Sequence, residues 1–80
     1  MKNYICEICR ETITNYSNGL LVKIKDQSGR VKKTVPVHKG DCDERLGAMW
    51  RQSGFNTNAS MELSFFSSDE ERDEYMKETL

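Results

Sequence analysis

No stretch of this chain approaches the roughly 20 consecutive apolar residues that a helix needs to cross a bilayer, so a membrane partner is not expected. Apolar residues are sparse overall, at 36% of 80 residues, against 31% charged. A chain of this size buries a modest fraction of its surface, so apolar burial and folding entropy nearly cancel. Two independent cores are excluded, and a single core needs a disulfide, a metal or a partner to help it. Proline occurs once, at Pro36, and histidine once, at His38. Cysteine is both scarce and odd in number, at three, which argues against a secreted disulfide framework. The N-terminus, Met-Lys-Asn-Tyr-Ile-Cys-Glu, has no apolar run of the signal-peptide kind. The expected compartment is a reducing cytoplasm, where the glycosylation-like triplets at Asn15 and Asn58 are chance matches.

What is present is unevenly charged. Residues 1–52 hold ten Lys/Arg and six Asp/Glu, a net +4, whereas residues 53–80 hold two and seven, a net −5. Residues 4–13 read as a short strand entering and leaving a Cys-x-x-Cys turn. Asn18-Gly19 predicts a tight turn, because the dipeptide tolerates positive φ. Leu20 to Lys25 then reads as a strand, with Val22 and Ile24 on one face and Lys23 and Lys25 on the other. Asp26 to Gly29 is a turn, and Val31 to Val37 returns as the second strand of a hairpin. Pro36 lacks an N–H and therefore belongs at a sheet edge or beside an irregularity.

A helix is predicted to open near Asp41, with Asp41 and Glu44 at capping-box spacing. Cys42, Leu46, Met49 and Trp50 fall on one helical face, and Gly54 is placed to cap the end. Residues 53–60 are small and polar apart from Phe55 and read as a linker. Met61, Leu63 and Phe65 alternate with polar residues as a strand would. Ser68 and Glu71 open a second, acidic helix over roughly 69–79, whose thin apolar side is Tyr75, Met76 and Leu80.

The strongest pattern is Cys6-x2-Cys9, a long interval, then His38-x3-Cys42. Two residues between cysteines let one tight turn aim both sulfurs at one ion. A strand end and a first helical turn can present the other pair. Structural zinc takes four Cys or His ligands as a closed tetrahedron, and these four residues use every cysteine and the only histidine. The expected cofactor is one structural Zn²⁺. Other readings of the same residues are a redox Cys-x-x-Cys, which lacks its usual βαβ setting, another metal or cluster, and unligated cysteines beside a surface histidine.

The order of knuckle, hairpin and helix, with ligands on the knuckle and the first helical turn, resembles the treble-clef zinc finger. Cys6-x-x-Cys9-x-x-x-Ile13 resembles the opening of a LIM-type finger. Arg10 stands where such knuckles often carry glycine, and no second cysteine set follows. The likeness is therefore to small solitary fingers of bacteria and bacteriophages. It implies a small zinc-stabilised α+β fold: a treble-clef domain over 1–52, a linker over 53–60, and an acidic strand and helix extension over 61–80. It also suggests a regulator or inhibitor of a host protein.

Catalysis is not expected. One histidine, already a ligand, leaves no general base of the nuclease type. A closed metal site offers no position for water, and no phosphate-cradling glycine loop or nucleophile motif is present. Two surfaces remain as binding candidates. The hairpin cations Lys23, Lys25, Arg30, Lys32, Lys33 and Lys39 could contact nucleic-acid phosphates. The apolar residues Met61, Leu63, Phe65, Phe66, Tyr75 and Met76 could meet a protein partner or a second copy of the chain, or pack back over Met49 and Trp50. The primary expectation is a non-enzymatic protein-interaction module, with nucleic-acid binding as the alternative.

Overall fold

The computed structural model describes residues 3–78, so Leu80 lies outside the described residues. Two short strands, β1 (Tyr4–Ile5) and β2 (Thr12–Ile13), pair antiparallel around the Cys-x-x-Cys turn. A 3₁₀ turn over Tyr16–Asn18 leads into β3 (Gly19–Lys25), and β4 (Val31–His38) returns beside it. Helix α1 (Asp41–Arg51), strand β5 (Asn56–Glu62), a 3₁₀ turn over Leu63–Phe65 and helix α2 (Asp69–Lys77) complete the chain. The larger sheet has the order β4-β3-β5, all antiparallel.

The expected hairpin is present, and its turn is built by one side chain. Asp26 Oδ1 accepts from the N–H of Ser28 at 2.9 Å and of Arg30 at 3.0 Å, while Gly29 takes a positive φ of 87°. Pro36 lies on β4, an edge strand, as its missing N–H requires. Its carbonyl accepts from Glu7 N–H at 2.8 Å, which ties the knuckle to the sheet.

Asn18-Gly19 is not a hairpin turn. Gly19 has an extended φ of −128° and begins β3. The chain reverses earlier, where Asn15 Oδ1 accepts from Ser17 N–H.

Central strand β3 is covered on both faces. Residues paired across antiparallel strands share a face: Lys23 with Thr34 and Ala59, and the neighbouring Ile24 with Lys33 on the opposite face. On Lys23's side stands α2, since Lys23 Nζ donates to the Tyr75 carbonyl. On the other side stands α1, since Lys33 lies 5.6 Å from the Trp50 ring. The tail therefore packs back on the sheet, but on the face away from α1. It does not cover Met49, which is 58% exposed.

Helix α1 begins at Asp41 as predicted, but Gly40, at φ 82°, is its N-cap and no side chain caps it. Leu46 and Gly47 are its buried residues, with Cys42 and Trp50 packed against the core. Gly47 lets the helix approach β5, because a Cβ there would sit 3.1 Å from Thr57 Oγ1. The end has Schellman hydrogen bonds, Gly54 N–H to Arg51 O and Phe55 N–H to Trp50 O, with Gly54 at φ 85°. The Phe55 ring meets Trp50 edge-on at 5.1 Å, which is the apolar contact that accompanies this motif.

The expected linker over 53–60 is largely strand: β5 begins at Asn56 and pairs with β3. Its polar sequence conceals it, since pairing is driven by the open edge of β3 and not by apolar alternation. The alternation seen at Met61, Leu63 and Phe65 is not carried by a strand past Glu62. Leu63 instead turns fully inward, and its carbonyl accepts from Arg72 Nε at 2.9 Å. Helix α2 opens with Ser68 Oγ accepting from Glu71 N–H. Glu71 reaches back to Ser67 N–H at 2.8 Å, one residue earlier than a standard capping box.

Candidate metal centre

The Cys-x-x-Cys turn is shaped by its backbone. Cys6 follows β1, its N–H donating to Glu11 O and its carbonyl accepting from Arg10 N–H at 3.0 Å. Arg10 takes a φ of 66°, in the left-handed region that normally favours glycine. The substitution noted in the sequence is thus accommodated at the cost of backbone strain. His38 ends β4, and the next residue is anchored by Lys39 N–H to Asn18 O at 2.9 Å. Gly40 then turns the chain so that Cys42 enters in the first turn of α1.

The four predicted ligands converge. Cys6, Cys9, His38 and Cys42 each offer one donor atom, and these atoms all lie within 4.8 Å of one another. Cys9 Sγ and His38 Nδ1 are 3.4 Å apart. Tetrahedral ligands at the usual Zn–S length of ~2.3 Å stand about 3.8 Å apart, so side-chain adjustment below about 1 Å closes the cage. Cys6 is buried, Cys9 is exposed, and His38 and Cys42 are intermediate. The cluster thus sits where the core meets the surface.

The electrostatics suit a cation. Burial pushes the Cys6 thiol up, but backbone hydrogen bonds from Cys9, His38 and Ile8 outweigh it and bring its pKa to about 6. Burial and interaction with Cys6 and Cys9 push Cys42 up to about 11. Neighbouring thiolates repel, so they cannot all ionise alone. A divalent ion converts that repulsion into attraction and deprotonates the coordinating thiols. Three sulfurs and one imidazole form a soft donor set that suits one thiophilic metal ion.

The hairpin cations do not form one free patch. Lys23 is buried at 8% exposure, donating to Tyr75 O at 3.1 Å and Glu78 Oε1 at 2.8 Å. It also stands 4.0 Å from the Tyr75 ring, so it is not a surface contact. Strand alternation predicted a solvent face there, but α2 covers it. Lys39 pairs with Glu62 at 2.6 Å and Lys33 with Glu7 at 3.5 Å. Lys25 is partly buried, while Arg30 and Lys32 are exposed. The sequence interleaves no aromatic with these cations, yet folding brings Phe55 within 5.8 Å of Lys32.

The apolar tail residues also divide. Leu63 is fully buried and is not available to a partner, because it fills the space beside Gly19 and Ile13. Phe66, Tyr75 and Met76 pack against the core, and Met61 is partly buried. Phe65 is 70% exposed.

One arginine escaped notice in the sequence, and the backbone strain at another was not foreseen. Arg72, within the acidic run, is buried at 7% and holds the carbonyls of Leu63 and Phe66. Arg10 is strained and exposed. The glycine usually found at this point of a knuckle was the available signal for Arg10, and nothing local marks Arg72. Comparison with protein-family models, with curated proteins and with solved structures finds no match for this chain.

Proposed function

We propose that Cys6, Cys9, His38 and Cys42 hold one structural zinc ion, and that this chain is a non-enzymatic protein-interaction module built on it. The observation that carries the reading is the convergence of every thiol and the only imidazole within 4.8 Å. Such a set closes a tetrahedron and leaves no position for a reacting water. Cys6 and Cys9 come from the knuckle, His38 from β4 and Cys42 from α1, so one ion would lock three elements together. That arrangement supports a treble clef formed by the knuckle, the β3–β4 hairpin and α1. Strand β5 and α2 then complete the core around it.

Elemental analysis of the purified chain is expected to give about one zinc per molecule. Chelation, or Cys9→Ser, is expected to abolish cooperative thermal unfolding, because metal-binding energy is folding energy in so small a core. A native spectrum without metal would refute the structural role. Against nucleic acid as the partner stand the burial of Lys23 and the pairing of Lys39 with Glu62. No binding to mixed-sequence duplex DNA or RNA is expected even at low salt, where phosphate contacts are strongest. Steeply salt-dependent binding there would replace the protein-interaction reading.

A further inference from the structure

The groove between the knuckle and α1 has three features that the metal centre does not use. Its apolar lining is Ile8 from the knuckle and Ala48 and Met49 from α1, around a space of about 530 Å³. Met49 is 58% exposed, and a flexible thioether adapts readily to an apolar group laid against it. Two of its lining residues are cationic. Arg10 and Arg45 both border the groove, and among the described residues Arg10 makes no ion pair. Arg45 has Asp41 at 3.5 Å, with both side chains mostly exposed at 65% and 81%, an arrangement that contributes little. Glu7, the acidic residue at the groove, stands near Lys33 instead.

The third feature is strain. Arg10 keeps a φ of 66° where glycine would rest without a Cβ penalty. A strained residue held in place points to a use for its side chain.

We propose that this groove docks an acidic amphipathic segment of a protein partner. Its carboxylates would lie on Arg10 and Arg45, and an apolar side chain would lie over Ile8, Ala48 and Met49. The proposal rests on the protein-interaction reading above and assigns it a surface. Guanidinium groups match carboxylates with two parallel hydrogen bonds, which selects the sign and chemistry of the partner. The chain's own acidic helix is not the occupant, because Tyr75 and Met76 are already packed on its own core. Both walls of the groove carry metal ligands, Cys6 and Cys9 on one side and Cys42 on the other. The width of the groove is thereby coupled to the metal.

The probe is a displayed random library of peptides of about 16 residues, roughly four helical turns, panned against the zinc-loaded full chain. Acidic peptides with apolar residues at helical spacing are expected to be enriched, with amide shifts confined to the surroundings of Ile8, Arg10, Arg45 and Met49. Arg10→Glu with Arg45→Glu is expected to weaken the selected peptide roughly tenfold or more, and Met49→Ser by a similar factor. Arg10→Gly separates a binding role from a structural one: it should raise the thermal midpoint while weakening the peptide several-fold. Loss of stability in Arg10→Gly, with binding intact, would overturn the role of Arg10. Enrichment of basic peptides, no enrichment over bare support, or a footprint on Phe65, Phe66 and Tyr75 would overturn the groove. So would a dimer joined through it. A footprint elsewhere leaves the interaction reading standing, whereas salt-dependent nucleic-acid binding with no peptide enrichment removes both.

Discussion

Gly19 lies in ordinary extended backbone at φ −128°, yet a side chain does not fit there. A Cβ would stand 2.6 Å from Leu63 Cδ1 and 2.7 Å from Ile13 Cγ2. Both neighbours are buried at 2% exposure or less, so neither can swing into solvent. Gly19→Ala is expected to destabilise by about 1–3 kcal/mol, the usual range for overpacking a core. The urea midpoint should fall at an unchanged m-value, and an unshifted midpoint would show that the packing yields. The dipeptide Asn18-Gly19 suggested a turn because local patterns report conformational freedom. The demand here is for space, set by residues distant in the chain. Lys23 was misjudged for the same reason, since its cover comes from Tyr75, 52 positions away. The convergence of Cys6, Cys9, His38 and Cys42 was legible because coordination demands particular donor atoms, and the chain has only three thiols and one imidazole to offer.

Among the elements, the hairpin and α1 follow from their own residues, through the Asp26 turn, the helical spacing of Cys42, Leu46 and Trp50, and the Gly54 cap. Strand β5 does not, because Asn56 to Ser60 carries no apolar alternation and pairs only where β3 presents an edge. Helix α2 was recognisable from Ser68 and Glu71, but what anchors it was not. Its charge pattern reads as a solvated face, whereas Arg72 turns inward and joins it to the segment before it. The guanidinium donates to Leu63 O, Phe66 O and Asp69 Oδ1 at 2.9, 3.0 and 2.8 Å, and lies 4.4 Å from the Tyr16 ring. Arg72→Ala would leave carbonyls without donors and a hole beneath the helix. The expected cost is about 2–4 kcal/mol. Arg72→Lys should recover little of it, because one ammonium cannot reproduce the fork. Chemical denaturation of both variants checks this, and a fully stable Lys variant would show that charge alone suffices.

For the molecule as a whole, acid acts on two sets of groups. Asp26 is held below its ordinary value by hydrogen bonds from Ser28 and Arg30, Glu62 by Lys39 and Ser64, and Glu71 by Ser67. A folded-state pKa below the unfolded one gives stability that is complete above the ordinary values, 3.8 for Asp and 4.5 for Glu. That stability drains as pH falls through the lower folded values. Glu71 is exposed and Asp26 and Glu62 are only half-buried, so their share is small. The second set is the four candidate ligands, which would bind an ion only as thiolates and neutral imidazole, so protons would compete directly with it. Without a metal the Cys6 thiol sits near 6 and Cys42 near 11, so acid progressively weakens the hold of these thiols on an ion below neutral pH. On acidification from neutral pH, loss of the far-ultraviolet dichroism and release of zinc to a chromogenic chelator are therefore expected to coincide. A chelator at neutral pH should produce the same unfolded spectrum. Zinc released with the fold intact would mean that β3 and its two covering helices stand without the ion. Fold lost while zinc is still held would place the acid-sensitive element in Asp26, Glu62 and Glu71, and the metal would then not be what holds the knuckle to α1.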